Sequence, residues 1–295
     1  MIATLINPKL TVEIDTRGAE LLRIRSSDGC DYLWPGDPAV WADRAPLLFP
    51  IVGGLWQNTY RLAERAFILE QHGFARQMPF ELHDLSDRHA TYVLTDTAVT
   101  RLQYPFAFRL EVRYSLEGAT VSVEYRLTHP QTEPLPFSIG AHPGFLCRWQ
   151  AGDTMEHYYL EWEKTETADA HVLKNGYLTG ERRCVFEGRR QLPLKAELFA
   201  REALVFTTHQ SRSVRLRRRD DSRFVEVEFK GFPFLGIWSR PGASFVCIEP
   251  WYGFSDPVGY IGDFSEKPGI QLLEPGAVFS CCYRIKIGQE IDPIF

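Results

Sequence analysis

The sequence predicts an all-β protein, an antiparallel sandwich or barrel, and three observations carry that prediction. Apolar and polar residues alternate along Thr120-Val-Ser-Val-Glu-Tyr-Arg-Leu127 and along Arg223-Phe-Val-Glu-Val-Glu-Phe229, which is the period of a half-buried sheet. Short runs of the same kind recur down the chain with Gly, Pro, Asn and Asp between them, as in sandwiches and barrels. Helical patterning is scarce, so the βαβ alternation of a parallel α/β sheet is missing.

Taken in order, residues 2–7 and 10–15 read as two strands split by Asn7-Pro8, and 20–25 as a third, closed by Ser-Ser-Asp-Gly. Residues 66–71 and 90–95 are short runs rich in aromatic and branched side chains. Residues 106–116 and 120–127 are parted by Glu117-Gly118, a hairpin signal. Further strands are expected at 156–162, 203–207, 223–229, 244–249 and 277–287. The best short helical candidate is Pro193 to Glu202. No composition shift, flexible linker or repeat of fixed period divides the chain, so residues 1–295 read as a single domain.

The chain has 295 residues, 44% of them hydrophobic and 24% charged, a balance that excludes disorder or membrane spanning as its main character. A formal charge of −5 gives no global positive field for nucleic acid or an anionic membrane. Neutral or small substrates are the natural partners. The basic run Arg215-Leu216-Arg217-Arg218-Arg219 precedes Asp220-Asp221 and reads as a solvated strand end or turn. The six cysteines lack metal-type spacing and read as buried free thiols. The first fifteen residues lack the features of a secretory signal, so a cytoplasmic location is expected.

Phosphate-loop, dinucleotide, zincin and serine-hydrolase motifs are absent. Three segments concentrate Gly, Pro, aromatic and ionisable residues where strand-like runs end, which is where sites are usually built. In Pro136-Phe-Ser-Ile-Gly-Ala-His-Pro-Gly-Phe145, alternation sets Ser138, Gly140 and His142 on one face, leaving room for a ligand beside the imidazole. The alternative is a structural histidine bonded to a carbonyl. In Ser244-Phe-Val-Cys-Ile-Glu-Pro-Trp-Tyr-Gly-Phe254, an apolar strand ends at Glu249 and aromatics follow. A carboxylate beside an aromatic wall suits a sugar, whose CH faces stack on rings while its hydroxyls bond to charge. An exposed strand-end Glu is the alternative there. In Gln71-His72-Gly73-Phe74-Ala75-Arg76, His72 and Arg76 offer donors to ligand oxygens, as does Arg44 in the Trp41 to Gly54 stretch; each could equally be a surface or capping residue.

The chain resembles the aldose 1-epimerase (mutarotase) family, and within it a LacX-like branch. The matching pieces run in order: Arg44-Ala-Pro-Leu-Leu-Phe-Pro-Ile-Val-Gly53, His72-Gly-Phe-Ala-Arg76, Tyr104-Pro-Phe-Ala-Phe108, Phe137-Ser-Ile-Gly-Ala-His-Pro-Gly-Phe145, Phe234-Leu-Gly-Ile-Trp-Ser239, Cys247-Ile-Glu-Pro-Trp251 and Lys267-Pro-Gly-Ile270. The resemblance implies a large antiparallel β-sandwich of the galactose mutarotase-like (supersandwich) type with an open sugar cleft. It implies His142 as general acid, Glu249 as general base, and His72 and Arg76 as sugar-binding groups. Arg44, Trp238, Trp251 and Asp256 complete the expected binding set.

Implied too are a small-molecule hexose as partner, no cofactor and no metal, and a monomer or homodimer. The glycine-rich stretch and upstream Asn-Arg pair of the galactose enzymes are missing here. Hexose-6-phosphate epimerases share the HGFAR element and add arginines for phosphate, so Arg44 and Arg76 leave a phosphorylated sugar open. Ionised Glu249 and cationic His142 together imply a bell-shaped pH dependence, the acid limb belonging to Glu249 and the alkaline limb to His142. Two other readings stand beside this one. A glycoside hydrolase would use Asp256 as a second carboxylate, and a sugar-sensing module would use Trp238 and Trp251 as platforms.

Overall fold

The computed structural model describes residues 1–290. Strand accounts for 51% of it and helix for 8%, in large antiparallel sheets. Period-two patterning dictates most of this: Arg109–Glu117 and Thr120–Thr128 pair as a hairpin in which every second residue is buried. The main antiparallel sheet has fifteen strands. Along it, the site-bearing strands run Leu47–Leu48, Ile139–Ala141, Phe245–Tyr252, Phe234–Trp238, Leu204–Phe206 and Tyr158–Lys174. The remainder continues through Val278–Gln289 to Glu81–Leu85. Ile2–Ile6, Leu10–Asp15 and Leu21–Ser26 form a separate three-stranded sheet. One apolar cluster joins Val12, Val112, Val123, Ile248 and Ile285, residues drawn from both sheets.

Several expectations need correcting. The largest is the hairpin of Tyr158–Lys174 and Tyr177–Pro193, seventeen residues each, of which only 156–162 was expected as strand. Its register shifts repeatedly, and each bulge resets the alternation that a sequence reading depends on. Residues 193–202 form no α-helix; a 3-10 turn covers Ala196–Phe199. The α-helix is instead Ala98–Gln103, started by a Thr97–Thr100 capping box that satisfies its first backbone donors.

The basic run occupies the end of the strand Ser213–Arg218, with Arg219 in the turn that follows, though its strand residues are partly buried. Its guanidinium groups are paired, Arg217 with Glu161 at 3.2 Å and Arg218 with Asp153 at 3.0 Å. All six cysteines are free, but only Cys147, Cys247 and Cys281 are buried; Cys30 and Cys282 are half-buried and Cys184 is exposed. Among the described residues, no helix is long and apolar enough to cross a membrane.

Candidate active site

The strand Phe245–Tyr252 builds the floor of the site. Its odd-numbered residues Phe245, Cys247, Glu249 and Trp251 share one face, while Val246 and Ile248 on the other face belong to the main core. Glu249 is therefore not at a strand end, as the sequence suggested, but in mid-strand. The reason lies in its neighbour on one side. Ile139–Ala141 pairs with the strand at Trp251 and Tyr252, and Gly144–Leu146 pairs with it from Cys247 back to Phe245. Between them His142 and Pro143 stay in register opposite Glu249 and Ile248, the Ile248 N–H donating to the Pro143 carbonyl at 3.3 Å, across a short gap in the regular ladder. Pro250, which cannot donate a hydrogen bond, falls in that gap, so the strand runs through it. On the other side Glu249 pairs with Gly236.

That register sets His142 beside Glu249. His142 Nε2 lies 3.1 Å from Glu249 Oε2, with Glu249 1% exposed and His142 9%. Neither Glu249 oxygen has a hydrogen-bond partner, nor has His142 Nδ1. Buried polar atoms left in that state are costly unless a ligand meets them. Burial pushes the Glu249 carboxyl well above the usual carboxylate range. It pushes the His142 imidazole down to about 3, with the Arg76 charge adding to the effect. Both shifts have burial as their main cause, and both favour the uncharged form of the group.

The cavity above the pair has a volume of about 290 Å³, near the lower end of small-ligand sites. His72, Arg76, Trp238 and Trp251 line it, as expected. His72 is left-handed at φ 68°. Its N–H donates to the Gly53 carbonyl at 2.9 Å, and the Gly53 N–H donates back to His72 Nδ1 at 3.1 Å. Nδ1 is thus an acceptor, and burial with His142 and Arg76 nearby holds the ring well below the ordinary imidazole range. A neutral ring with Nδ1 unprotonated carries its proton on Nε2, ready to donate. Arg76 Nη1 is 3.1 Å from Asp43 Oδ2.

Trp251 lies flat because Gly140 and Gly236 give it room. A Cβ on Gly236 would come within 2.4 Å of the indole, and one on Gly140 within 2.6 Å. Trp41 and Trp238 close around His142, with ring centroids 5.1 and 5.5 Å from the imidazole.

Two expected site residues are elsewhere. The Arg44 side chain lines a second cavity with Arg23, Trp34, Asp37 and Arg148, while its backbone N–H and carbonyl bond to Glu20 and Gly144. Asp256, 1% exposed, does not line the cleft. Its Oδ1 is 3.1 Å from Lys267 Nζ, and its Oδ2 accepts from the Trp56 N–H at 2.8 Å. It braces the loop that carries Gly53 and Gly54.

Residues that the sequence reading did not select also face the cavity, among them Trp41, Asp43, Gln71 and Glu202. The Asn175-Gly176 turn closes the long hairpin and brings Gly176 to the wall. That Asn-Gly pair is the signal that could have revealed it. For a metal, His142, Cys247 and Glu249 each present a donor atom, all within 4.8 Å of one another and all buried.

With this geometry in view, comparison with known proteins is informative. A family model described as Aldose 1-epimerase matches residues 1–257. The chain is 34% identical over 297 residues to the plasmid Protein LacX of Lactococcus lactis subsp. lactis, covering 97% of this chain and 99% of that one. It superposes on a galactose mutarotase related enzyme from Lactobacillus acidophilus with a TM-score of 0.94 at 31% identity, covering 99% of each chain. A galactose mutarotase-like protein from Lactobacillus casei gives 0.91 at 29% identity, covering 98% of this chain and 100% of that one.

Proposed function

The chain belongs to the aldose 1-epimerase family, and from that premise we propose that it interconverts the α and β anomers of a hexose, with His142 and Glu249 handling the protons. The observation that carries this reading is the buried 3.1 Å contact of His142 and Glu249 under a sugar-sized cavity, the carboxyl oxygens being unpartnered. In an aldose the anomeric oxygen O1 and the ring oxygen O5 are both bonded to C1. An acid and a base that serve them must both reach the one anomeric centre.

Ring opening removes the proton from O1 and delivers one to O5 as the C1–O5 bond breaks, leaving an aldehyde at C1 and a hydroxyl at C5. Rotation about C1–C2 turns the other carbonyl face toward O5. Reclosure reverses both transfers, so the pair begins and ends with a single proton.

Burial favours that proton on Glu249 in the empty cleft. Sugar hydroxyls donating to the unpartnered carboxyl oxygens favour the carboxylate instead, which moves the proton to His142 and arms it as the acid. Glu249 then accepts the O1 proton, the division of labour that the family resemblance implies. His72, donating through Nε2, and Arg76 hold sugar oxygens, while Trp41, Trp238 and Trp251 supply apolar faces. A hydrolase reading loses support because Asp256, its second carboxylate, faces Lys267. A sensing module would not need a one-proton pair at the floor of its cleft.

The test is anomer exchange of freshly dissolved α-hexoses, followed by polarimetry or NMR. Acceleration by the wild-type protein that is lost in His142→Ala and Glu249→Ala supports the assignment. Equal exchange by all three proteins sinks it.

A further inference from the structure

We propose that the cleft takes an uncharged sugar in preference to its phosphorylated counterpart, and that Asp43 enforces the choice by occupying Arg76. The proposal rests on the mutarotase reading above and narrows its substrate class. A shared HGFAR element would let Arg76 serve as a phosphate ligand. The charges around the cavity argue otherwise.

Three carboxyl side chains line the cavity, those of Asp43, Glu202 and Glu249, against one guanidinium, that of Arg76. That guanidinium is already committed through Nη1 to Asp43 Oδ2 at 3.1 Å. Glu202 is held in place by the Gly176 N–H, which donates to its Oε2 at 2.7 Å. The other cations that could have helped are directed elsewhere. Arg44 opens onto the second cavity, Lys267 is fixed on Asp256, and His72 is neutral with one nitrogen bonded to Gly53.

A phosphate monoester carries about −1.5 to −2 charges at neutral pH. In this cleft it would share a lining with Asp43 and Glu202 and would have to share the Arg76 charge with Asp43. Like charges brought together at a partly exposed site disfavour the anion relative to a neutral group. A free hydroxyl faces no such conflict. It donates to a carboxylate oxygen and accepts from a guanidinium N–H, and Arg76 Nε, buried and without a partner, is such a donor. The Asp43–Arg76 pair therefore suits a hydroxyl and repels a dianion.

The experiment compares kcat/KM for anomer exchange of glucose and galactose with that of their 6-phosphates, alongside Kd values from calorimetry. The wild-type protein is expected to favour the free sugar by tenfold or more in both measurements. Asp43→Asn releases the Arg76 charge at nearly constant volume and is expected to shrink that preference by about tenfold, chiefly by improving the phosphorylated sugar. Equal or better turnover or binding of the 6-phosphate by the wild-type protein overturns the proposal, as does a preference unmoved by Asp43→Asn. If neither sugar is turned over faster than in buffer, the mutarotase reading fails, and the calorimetric ratio still decides the charge preference.

Discussion

Glu249 and His142 face each other at 3.1 Å across a gap in one sheet edge, with no other partner for either carboxyl oxygen. The strand register forces the contact: both flanking segments pair with Phe245–Tyr252 in one unbroken register, which places His142 directly opposite Glu249. General acid and base contributions are each typically worth about 10²–10⁴-fold. His142→Ala and Glu249→Ala are each expected to lower kcat/KM for anomer exchange by that range with little change in KM. Because the two act on one shared proton, the double variant is expected to be little worse than either single one. Losses that multiply would show that the residues act independently.

The pH dependence separates a charged resting pair from a neutral one. Catalysis needs a single proton on the pair. A second proton must go to His142, whose affinity burial depresses to about 3, and loss of the only proton must come from Glu249, whose affinity burial raises. The expected kcat/KM profile is a broad plateau whose acid limb lies well below 6.5 and whose alkaline limb lies far above the ordinary carboxylate range. This reverses the assignment that ordinary side-chain values suggest. An acid limb at the usual imidazole value would contradict it.

Stability should move in the opposite sense to activity at Glu249. Its raised folded-state value means that its stabilising contribution is complete only below about 4.5, the unfolded value. The contribution is lost as pH rises, because the unfolded chain sheds a proton that the folded chain retains. Glu249→Gln removes the titration while keeping the shape. The variant is expected to be inactive yet more stable at pH 7.5 by about 0.5–2 kcal/mol, with a smaller difference at pH 4, as read from thermal melts. A melting temperature lowered at pH 7.5 would refute this.

Asp256 and Lys267 offer a different test, because they brace the site from behind. Asp256 accepts from the Trp56 N–H, and its own backbone N–H donates to the Gly54 carbonyl at 2.8 Å, beside the Gly53 that orients His72. Lys267→Met leaves a buried carboxylate without its cation, a loss of about 3–5 kcal/mol. Adding Asp256→Asn to it is expected to recover part of that loss in chemical denaturation. A single variant as stable as the wild-type protein would show the pair to be dispensable.

Much of this was legible in the sequence where the governing chemistry is local. The alternation in Thr120–Thr128 follows from one face meeting the core, and His142 and Glu249 stood out as ionisable groups among small or apolar neighbours. What escaped was set by distant contacts. Asp43 reaches the cleft and Arg44 leaves it because the Arg44 backbone is pinned between Glu20 and Gly144, residues 24 and 100 positions away. Glu202 arrives from a left-handed position, φ 62°, after a short 3-10 turn. The long hairpin was hidden by its bulges, which interrupt the only period the sequence could display.

The last prediction concerns Gly236, which pairs with Glu249 and lies under Trp251. A methyl group there would come within 2.4–3.0 Å of three ring carbons of the indole, and those atoms belong to a rigid bicycle buried among Leu48, Val52 and Val205. The ring cannot yield as a flexible side chain would, so the strain must tilt the indole or part the strands. Overpacking of this kind typically costs about 1–3 kcal/mol. Tilting Trp251 also moves one wall of the cleft relative to Glu249. Gly236→Ala is therefore expected to lower stability by that amount and to raise KM for the sugar, since a displaced platform weakens binding. Gly242→Ala is the control for stability, because a Cβ there meets nothing within 4 Å although its φ of 81° carries some backbone strain; its KM should be unchanged. If Gly236→Ala leaves both stability and KM at wild-type values, Trp251 does not depend on the glycine floor.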